Sequence, residues 1–232
     1  MIREVRHQAL HEMVYEEIRR SLMAGQFEPG QKVSSRKLAA ALGTSDMPVR
    51  TALSRLIAEG GLIRRANNTI CVPSCSRRSF KEGMDLRVLL EAHATRLACG
   101  NLTEQDFKTL DRHSTALDEA IKAEDVSQYL DVNRNLKFAI YNRCGSEMLL
   151  SAVGMIWLKV GPFLRSLSPE LGHISETNFH LDAVSALRRG DAEAAAAAIA
   201  RDIGAGRDLL LATARFDDVD KSDRASMKGE SL

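Results

Sequence analysis

The sequence predicts a mostly α-helical protein in two parts, namely three helices with a small β-hairpin, followed by an all-α helical bundle. Two observations predict this fold class. Apolar residues recur at spacings of three and four along most of the 232 residues, as on amphipathic helices. Strand-like segments occur only near residues 62–72, and none follows them.

A net charge of +1 conceals two oppositely charged parts. Residues 1–81 hold 14 Lys and Arg against 7 Asp and Glu, which is +7, whereas the remaining residues hold 18 against 24, which is −6. A basic part beside an acidic part is typical of a protein in which one domain meets a polyanion. The composition, 44% apolar and 27% charged, excludes a disordered or disulfide-stapled chain.

The location of the protein is predicted from two absences in the sequence. No apolar run approaches the roughly 18 residues of a membrane span, so we expect no membrane partner. Residues 1–10 carry Arg3, Glu4 and Arg6 and no apolar stretch follows them, which argues against a signal peptide. We therefore expect a cytoplasmic protein.

Two helices begin the basic part. The first is predicted over residues 10–23, and its expected buried face consists of Leu10, Met13, Val14, Ile18 and Leu22. Ser34 or Ser35 can cap a second helix, which Gly43 ends.

A third helix completes a helix-turn-helix. Ser45 offers its N-cap, and the helix is predicted from about Met47 to Glu59. The N-terminus of such a helix enters the major groove of DNA, so the groove-facing candidates are Ser45, Asp46, Met47, Arg50 and Thr51. Arg50 is the foremost of these, because its guanidinium can bond a guanine edge with two hydrogen bonds.

Two short strands, over residues 62–65 and 69–72, form the predicted hairpin. Asn67 and Asn68 fit its tip because asparagine tolerates a positive φ. Arg36, together with Arg64, Arg65 and the tip from Asn67 to Thr69, could contact phosphates or the minor groove. The alternative is a three-helix protein-interaction module with solvated arginines, which Asp46 favours because phosphate repels a carboxylate.

The stretch from Val33 to Gly60, VSSRKLAAALGTSDMPVRTALSRLIAEG, resembles the winged helix of GntR-family transcription regulators. The resemblance implies DNA contacts by a set of residues in the second and third helices and the wing, namely Arg36, Ser45, Met47, Arg50, Asn67, Asn68 and Thr69. Asp46 departs from the family, which often places an arginine there, and the wing lacks the usual glycine. These departures concern the operator sequence more than DNA binding itself.

The acidic part is predicted to be entirely helical. Helical spacing covers six segments, residues 85–100, 103–123, 126–144, 147–167, 173–189 and 191–214. We predict a DNA-binding domain over 1–74, a linker over 75–82, a helical ligand-binding and dimerisation domain over 83–216, and a disordered tail over 217–232.

This part resembles the FCD domain of the FadR subgroup of that family, through LRVLLE at 86–91, NRNLKFAI at 133–140, and His180 ten residues before Gly190-Asp191. Many members hold a divalent metal such as Zn or Ni in the bundle. In that register Asn133, Lys137, His180 and Asp202 occupy the ligand positions. A lysine ammonium repels a cation, so we expect a metal-free centre in which Lys137 and Arg87 bind an anion or Lys137 pairs with Asp202. The alternative keeps the metal, on Asn133, His180 and Asp202.

The combined expectation is a ligand-responsive DNA-binding regulator, not an enzyme. It would act as a homodimeric repressor on a palindromic operator and be released by a small anionic effector, a carboxylate or sugar acid. Two other classes stay open at this point. One is a helical metal-site hydrolase or lyase that uses a winged helix for protein contacts, and the other is an architectural DNA-binding protein without an effector.

Overall fold

A computed structural model describes residues 5–170 and 179–217. Its mostly helical architecture confirms the predicted fold class. The N-terminal part contains three helices and three short strands, α1 (Val5–Met23), β1 (Lys32–Val33), α2 (Ser35–Ala41), α3 (Asp46–Ala58), β2 (Ile63–Arg64) and β3 (Ile70–Cys71).

Capping residues set the helix-turn-helix. Ser34 accepts a hydrogen bond from the backbone N–H of Lys37 at 3.4 Å and so starts α2, as one of the two predicted caps. Gly43, with a φ of 62°, lies just after α2 and ends that helix. Val49 and Leu53 in α3 are fully buried in the hydrophobic core, so the opposite side of α3 faces outward.

The wing is a three-stranded antiparallel sheet with the order β1-β3-β2. The predicted hairpin corresponds to β2 and β3, joined through Asn68, whose φ of 61° confirms the expected positive φ. Strand β1 is an addition to the prediction. Its two residues, Lys32 and Val33, are too few to show alternation, and pairing with β3 supplies the backbone partners that make them a strand.

The C-terminal part is a helical bundle. It contains α4 (Arg77–Ala98), α5 (Glu104–Lys122), α6 (Val126–Tyr141), α7 (Glu147–Val160), a 3₁₀ segment (Gly161–Glu170), α8 (Phe179–Arg188) and α9 (Ala192–Thr213). The helix predicted over 147–167 therefore changes type at Gly161, directly before Pro162, which cannot donate a helical hydrogen bond. The predicted start of the next helix, at His173, lies outside the described residues.

The segment expected to be a linker, residues 75–82, is largely helical. Helix α4 begins at Arg77 because the Ser76 hydroxyl accepts a hydrogen bond from the Ser79 N–H at 3.2 Å. Among the described residues, only 72–76 separate strand β3 from this helix without regular structure. The two parts of the chain are thus joined by a short connection.

The expectation that no run is apolar enough to span a membrane was wrong for one segment. Glu147–Leu167 meets the length and composition of a span, with a mean hydropathy of 1.4 over an 18-residue window, because its few charges lie far apart. Half of that window is buried inside the fold, and Val153, Trp157 and Leu158 lie in the core. The segment therefore serves as a core helix of the bundle.

The two parts pack directly against each other. A Cβ added to Gly161 would lie 2.7 Å from the carbonyl oxygen of Met23, which shows how closely α1 approaches the start of the 3₁₀ segment. A Cβ added to Gly61, after α3, would lie 3.3 Å from Cδ2 of Leu158 on α7. After α9, Phe216 stacks on Phe163, with ring centroids 5.6 Å apart. The tail predicted to be disordered, beyond Asp217, lies outside the described residues.

Candidate nucleic-acid interface and ligand cavity

The outer side of α3 carries exposed polar and apolar side chains at its N-terminal end. The Arg50 side chain is 73% exposed and Met47 is 70% exposed, while Pro48 and Val49 between them are buried. Ser45 is the N-cap residue and its hydroxyl makes no capping hydrogen bond. Its hydroxyl is therefore available to an outside acceptor.

Asp46 lies in the first turn of α3 and approaches Arg50. Its Oδ2 is 3.8 Å from Arg50 Nη1, and its Oδ1 is buried without a hydrogen-bond partner among the described residues. A carboxylate in the first turn of a helix is favourable because the helix N-terminus is partly positive. The sequence suggested that Asp46 opposes DNA binding, whereas the structure brings it to the arginine predicted to read the groove.

The remaining candidates lie on α2 and the wing. Arg36 is exposed on α2, and Asn67 and Asn68 are exposed between β2 and β3. Asn67 Oδ1 accepts a hydrogen bond from the Thr69 N–H at 3.1 Å, which orders the tip. Helix α3 and the wing thus present the two elements that the resemblance associates with DNA.

Four of the predicted ligand-domain residues meet in the bundle. Lys137 Nζ, on α6, donates to Asp202 Oδ2, on α9, at 2.5 Å. His180 Nε2, on α8, is 3.0 Å from Asn133 Oδ1 and 3.5 Å from Asp202 Oδ1. The Lys137 side chain is only 2% exposed, so this ion pair is withdrawn from water.

The charges of this centre shift the pKa values of its members. Burial alone would raise the pKa of Asp202, but His180 and Lys137 lower it to about 2. Burial lowers the pKa of His180 below its usual value, and although Asp202 opposes this effect, Lys137 adds to it. Asp202 is therefore a carboxylate and His180 a neutral imidazole at neutral pH.

The residues present do not fit a divalent metal. The Lys137 ammonium already occupies the side of Asp202 that a cation would use, and it would repel that cation. Within residues 5–170 and 179–217, no three His, Cys, Asp or Glu side chains come together as a metal-binding group. The donor set of this centre therefore suits an anion better than a metal ion.

A cavity of 140 Å³ adjoins this centre. Arg87, Asn133, Lys137 and Asp202 line it together with apolar side chains that include Met84, Leu164, Leu167, Phe179 and Leu209. The five residues predicted for the ligand site are thus brought together, since His180 contacts two of the lining residues. Such a mixture of apolar walls and a few polar groups is typical of small-molecule sites.

Arg87 belongs to a buried network that was not predicted from the sequence. Its Nε donates to Glu91 Oε1 at 2.6 Å, and Glu91 also accepts from the Tyr141 hydroxyl at 2.7 Å and from Trp157 Nε1 at 2.9 Å. The Arg87 guanidinium lies 4.0 Å from the centre of the Trp157 ring. The spacing of Arg87 and Glu91, four residues apart on one helix, was the available signal for this pair.

A helix-turn-helix with a wing, joined to a helical bundle that encloses a polar cavity, defines the class of ligand-responsive DNA-binding regulators. The model of the gntR family of bacterial regulatory proteins matches residues 10–72, and that of the FCD domain matches residues 82–205. The chain belongs to the gntR family and carries an FCD domain, so it is a transcription regulator and not an enzyme.

Individual relatives agree with this assignment. The HTH-type transcriptional regulator McbR of Escherichia coli (strain K12) is 32% identical over 82% of this chain and 87% of its own length. The Nta operon transcriptional regulator of Aminobacter aminovorans is 30% identical, over 71% of this chain and 78% of its own. The solved structure of E. coli McbR/YncC matches 90% of this chain and 98% of its own, with 29% identity and a TM-score of 0.79.

Proposed function

We propose that this regulator is a cytoplasmic homodimeric repressor that binds a palindromic operator and is released by a small anionic metabolite. Repression relieved by a ligand is what the family resemblance implies. The proposal rests on the presence, in the same chain, of an exposed Arg50 on α3 and of a buried, cation-lined cavity in the bundle. The DNA-binding surface and the ligand cavity can be tested separately.

Operator reading is assigned to the outer side of α3 and to the wing. Arg50 would bond a guanine edge, held in place by Asp46, while Ser45 and Met47 flank it. Arg36, Asn67, Asn68 and Thr69 would contact phosphates or the minor groove. These assignments rest on exposure and on the family resemblance.

The test of operator reading is fluorescence anisotropy with labelled DNA from beside the protein's own gene. Arg50→Ala should weaken binding by roughly 1 to 3 kcal/mol, and binding of the unaltered protein should fall steeply with salt. Arg78→Ala is the matched control, since Arg78 is 81% exposed on α4 and pairs with Glu82. Equal binding by the Arg50 and Arg78 variants would remove Arg50 from the interface.

Dimer formation is assigned to the outer side of α4. Leu86, Leu89 and Leu97 are 47%, 66% and 39% exposed, and their spacing places them on one stripe of the helix. A second copy related by a two-fold axis would cover the same stripe on both chains. The two winged helices would then read two half-sites of a palindrome.

The bundle cavity is assigned to the effector. Lys137 uses one of its three donors on Asp202, and Arg87 bonds Glu91 through Nε and Nη2, so each cation keeps donors for a further anion. A volume of 140 Å³ suits a small carboxylate or one end of a sugar acid. The ligand would therefore bind next to the ion pair and not through a metal.

A thermal-shift screen of small carboxylates and sugar acids, each beside its neutral alcohol or polyol, tests this assignment. An acid should raise the thermal midpoint where its neutral counterpart does not, and the double variant Lys137→Gln with Asp202→Asn should lose the rise. Metal analysis of protein purified without a chelator is the second arm. Near-stoichiometric zinc or nickel that is lost on His180→Ala would contradict a metal-free centre.

A further inference from the structure

A second, larger cavity lies between the winged helix and the bundle. This interdomain cleft has a volume of 870 Å³, well within the range of small-molecule sites. Tyr15 and Arg19 of α1 line one side, and Arg134 and Asn135 of α6 line the other. It is separate from the 140 Å³ cavity, with which it shares no lining residue.

Arg134 is an incompletely satisfied cation in this cleft. Its Nε is buried without a hydrogen-bond partner, and its Nη1 donates only to the neutral Asn135 Oδ1, at 3.1 Å. No carboxylate lies within 4.0 Å of its guanidinium among the described residues. Burial lowers the pKa of Arg134 and the nearby charge of Arg19 lowers it further, while Asp131 and Glu16 only partly oppose this effect.

Arg19 faces the same space from the winged helix. Its guanidinium rests on the backbone of α7 at Gly154, where an added Cβ would lie 2.4 Å from Nη2. Its nearest carboxylate is that of Glu59, 3.9 Å from Nε, and Glu59 is already bonded by Tyr15 and Arg55. The absence of a side chain at residue 154 thus allows a second weakly paired arginine to reach the cleft.

The other charged groups of the cleft do not neutralise these arginines. Glu16 also lines the cleft but forms no ion pair within 4.0 Å among the described side chains, and it is exposed to water. Burial lowers the pKa of His113, so at neutral pH this histidine adds no charge. Phe138, Leu158 and Met155 supply an apolar wall beside the cations.

We propose that the interdomain cleft is a second ligand site, in which Arg19 and Arg134 together bind the oxyanion of a small metabolite, a carboxylate or a phosphate. Two guanidiniums that line one cavity can together bind such a group with short, charge-assisted hydrogen bonds. A ligand there bonds the winged helix through Arg19 and the bundle through Arg134. It therefore stabilises the arrangement in which the two domains pack as they do here.

The proposed site in the interdomain cleft lies next to the bundle cavity. Asn133 and Lys137 point from α6 into the bundle, and Arg134 and Phe138, one residue further along in each case, line the cleft. One helix therefore carries both sites. A ligand in either one contacts α6, which meets α1 through the ion pair of Asp131 with Arg20 at 3.2 Å.

The test measures thermal midpoints of the full-length protein at constant ionic strength, with sodium chloride exchanged for sodium phosphate or for sodium benzoate. At least one anion should raise the midpoint above the chloride value. Benzoate alone would indicate a carboxylate with an apolar body, and phosphate alone would indicate a phosphate ester. Arg134→Gln should weaken binding of the effective anion by about tenfold. Arg19→Gln should do the same and serves as the test if Arg134→Gln is unstable.

Three controls separate this site from the others. Glu16→Gln should strengthen anion binding, because it removes a nearby negative charge. Arg50→Ala, and the double variant Lys137→Gln with Asp202→Asn, should keep the response, since they alter the DNA surface and the bundle cavity. The proposal is overturned if neither anion acts on the unaltered protein, if both arginine variants respond as it does, or if only the bundle variant loses the response.

Discussion

The ion pair between Lys137 and Asp202 determines the character of the bundle centre. An ammonium and a carboxylate withdrawn from water each lose hydration, and their contact offsets that loss only while both are present. The pair also fixes the charge of the centre, because it holds Asp202 ionised beside a neutral His180. The space that a metal would need is thereby filled by the chain itself.

Removal of one partner of this pair should cost much more stability than removal of both. Lys137→Met leaves Asp202 without its partner and should lower the free energy of unfolding by about 3 to 5 kcal/mol, measured by urea denaturation. The double variant Lys137→Met with Asp202→Asn should lose less than the single one. Lys81→Met, in an exposed pair with Asp85, should lose about 1 kcal/mol or less. Similar losses of stability in the Lys81 and Lys137 single variants would show that the buried pair matters no more than an exposed one.

The buried His180 should make stability depend on pH. Because burial lowers its pKa in the folded chain, the unfolded chain binds the proton more tightly, and stability is lost as pH falls below about 6.5. Urea denaturation between about pH 7.5 and about pH 5.5 should show a shallower loss for His180→Gln than for the unaltered protein. His11→Gln, at a partly exposed position on α1 away from the proposed dimer contact, is the matched control. An unchanged slope in His180→Gln would refute this role.

At the scale of residues, the sequence allowed the members of the bundle centre to be predicted but not their bonds. The family register pointed to Asn133, Lys137, His180 and Asp202, which do lie together. Whether Lys137 pairs with Asp202 or turns away depends on the packing of α6 against α9, which no local pattern encodes. The orphan Nε of Arg134 is likewise a product of tertiary packing.

At the scale of elements, helices with polar caps were predictable and packing-dependent segments were not. Thr103 and Asp106, whose spacing in the sequence is that of a capping box, cap α5 with reciprocal hydrogen bonds. On α1, however, Leu10 and Met13 are 38% and 69% exposed although both were expected to be buried, whereas Tyr15 is buried. Tyr15 donates at 2.7 Å to Glu59, the C-cap residue of α3, a contact that helical spacing alone does not predict.

The contact between α1 and the 3₁₀ segment should be sensitive to a single methyl group. Gly161→Ala places a Cβ against the backbone of Met23 and should lower the free energy of unfolding by roughly 1 to 3 kcal/mol. Gly204→Ala is the matched control, because nothing lies within 4 Å of its Cβ in α9. It should raise stability by about 0.5 to 1 kcal/mol, since alanine favours helix. Equal thermal midpoints for the two variants would show that α1 does not pack closely here.

At the scale of the molecule, the charge asymmetry of the sequence corresponds to the two domains. The +7 part contains the winged helix and the −6 part contains the bundle, so the net charge of +1 was uninformative about DNA binding. The chain order of the two domains and their classes could be predicted from sequence. Their direct packing at Gly161, and the cleft beside it, could not, because neither is encoded in any one segment.

The assembly should depend on the leucine stripe of α4. Leu89→Asp should convert the proposed dimer to a monomer, measured by sedimentation velocity, because it places two carboxylates at a two-fold contact. Met148→Asp, which alters a residue that is 85% exposed on α7, should leave the dimer intact. A dimeric Leu89→Asp protein would move the interface to another surface.

The proposed function requires that an anion in the bundle cavity releases the regulator from DNA without a metal. This requirement is tested by the anisotropy of a labelled operator bound to the protein in the presence of EDTA, during titration with an acid that raises the thermal midpoint of the unaltered protein and of Arg134→Gln alike. We expect the acid to release the operator, its neutral counterpart to leave it bound, and the double variant Lys137→Gln with Asp202→Asn to show no release. Release that requires added zinc or nickel, or that is unchanged in the double variant, would contradict this expectation.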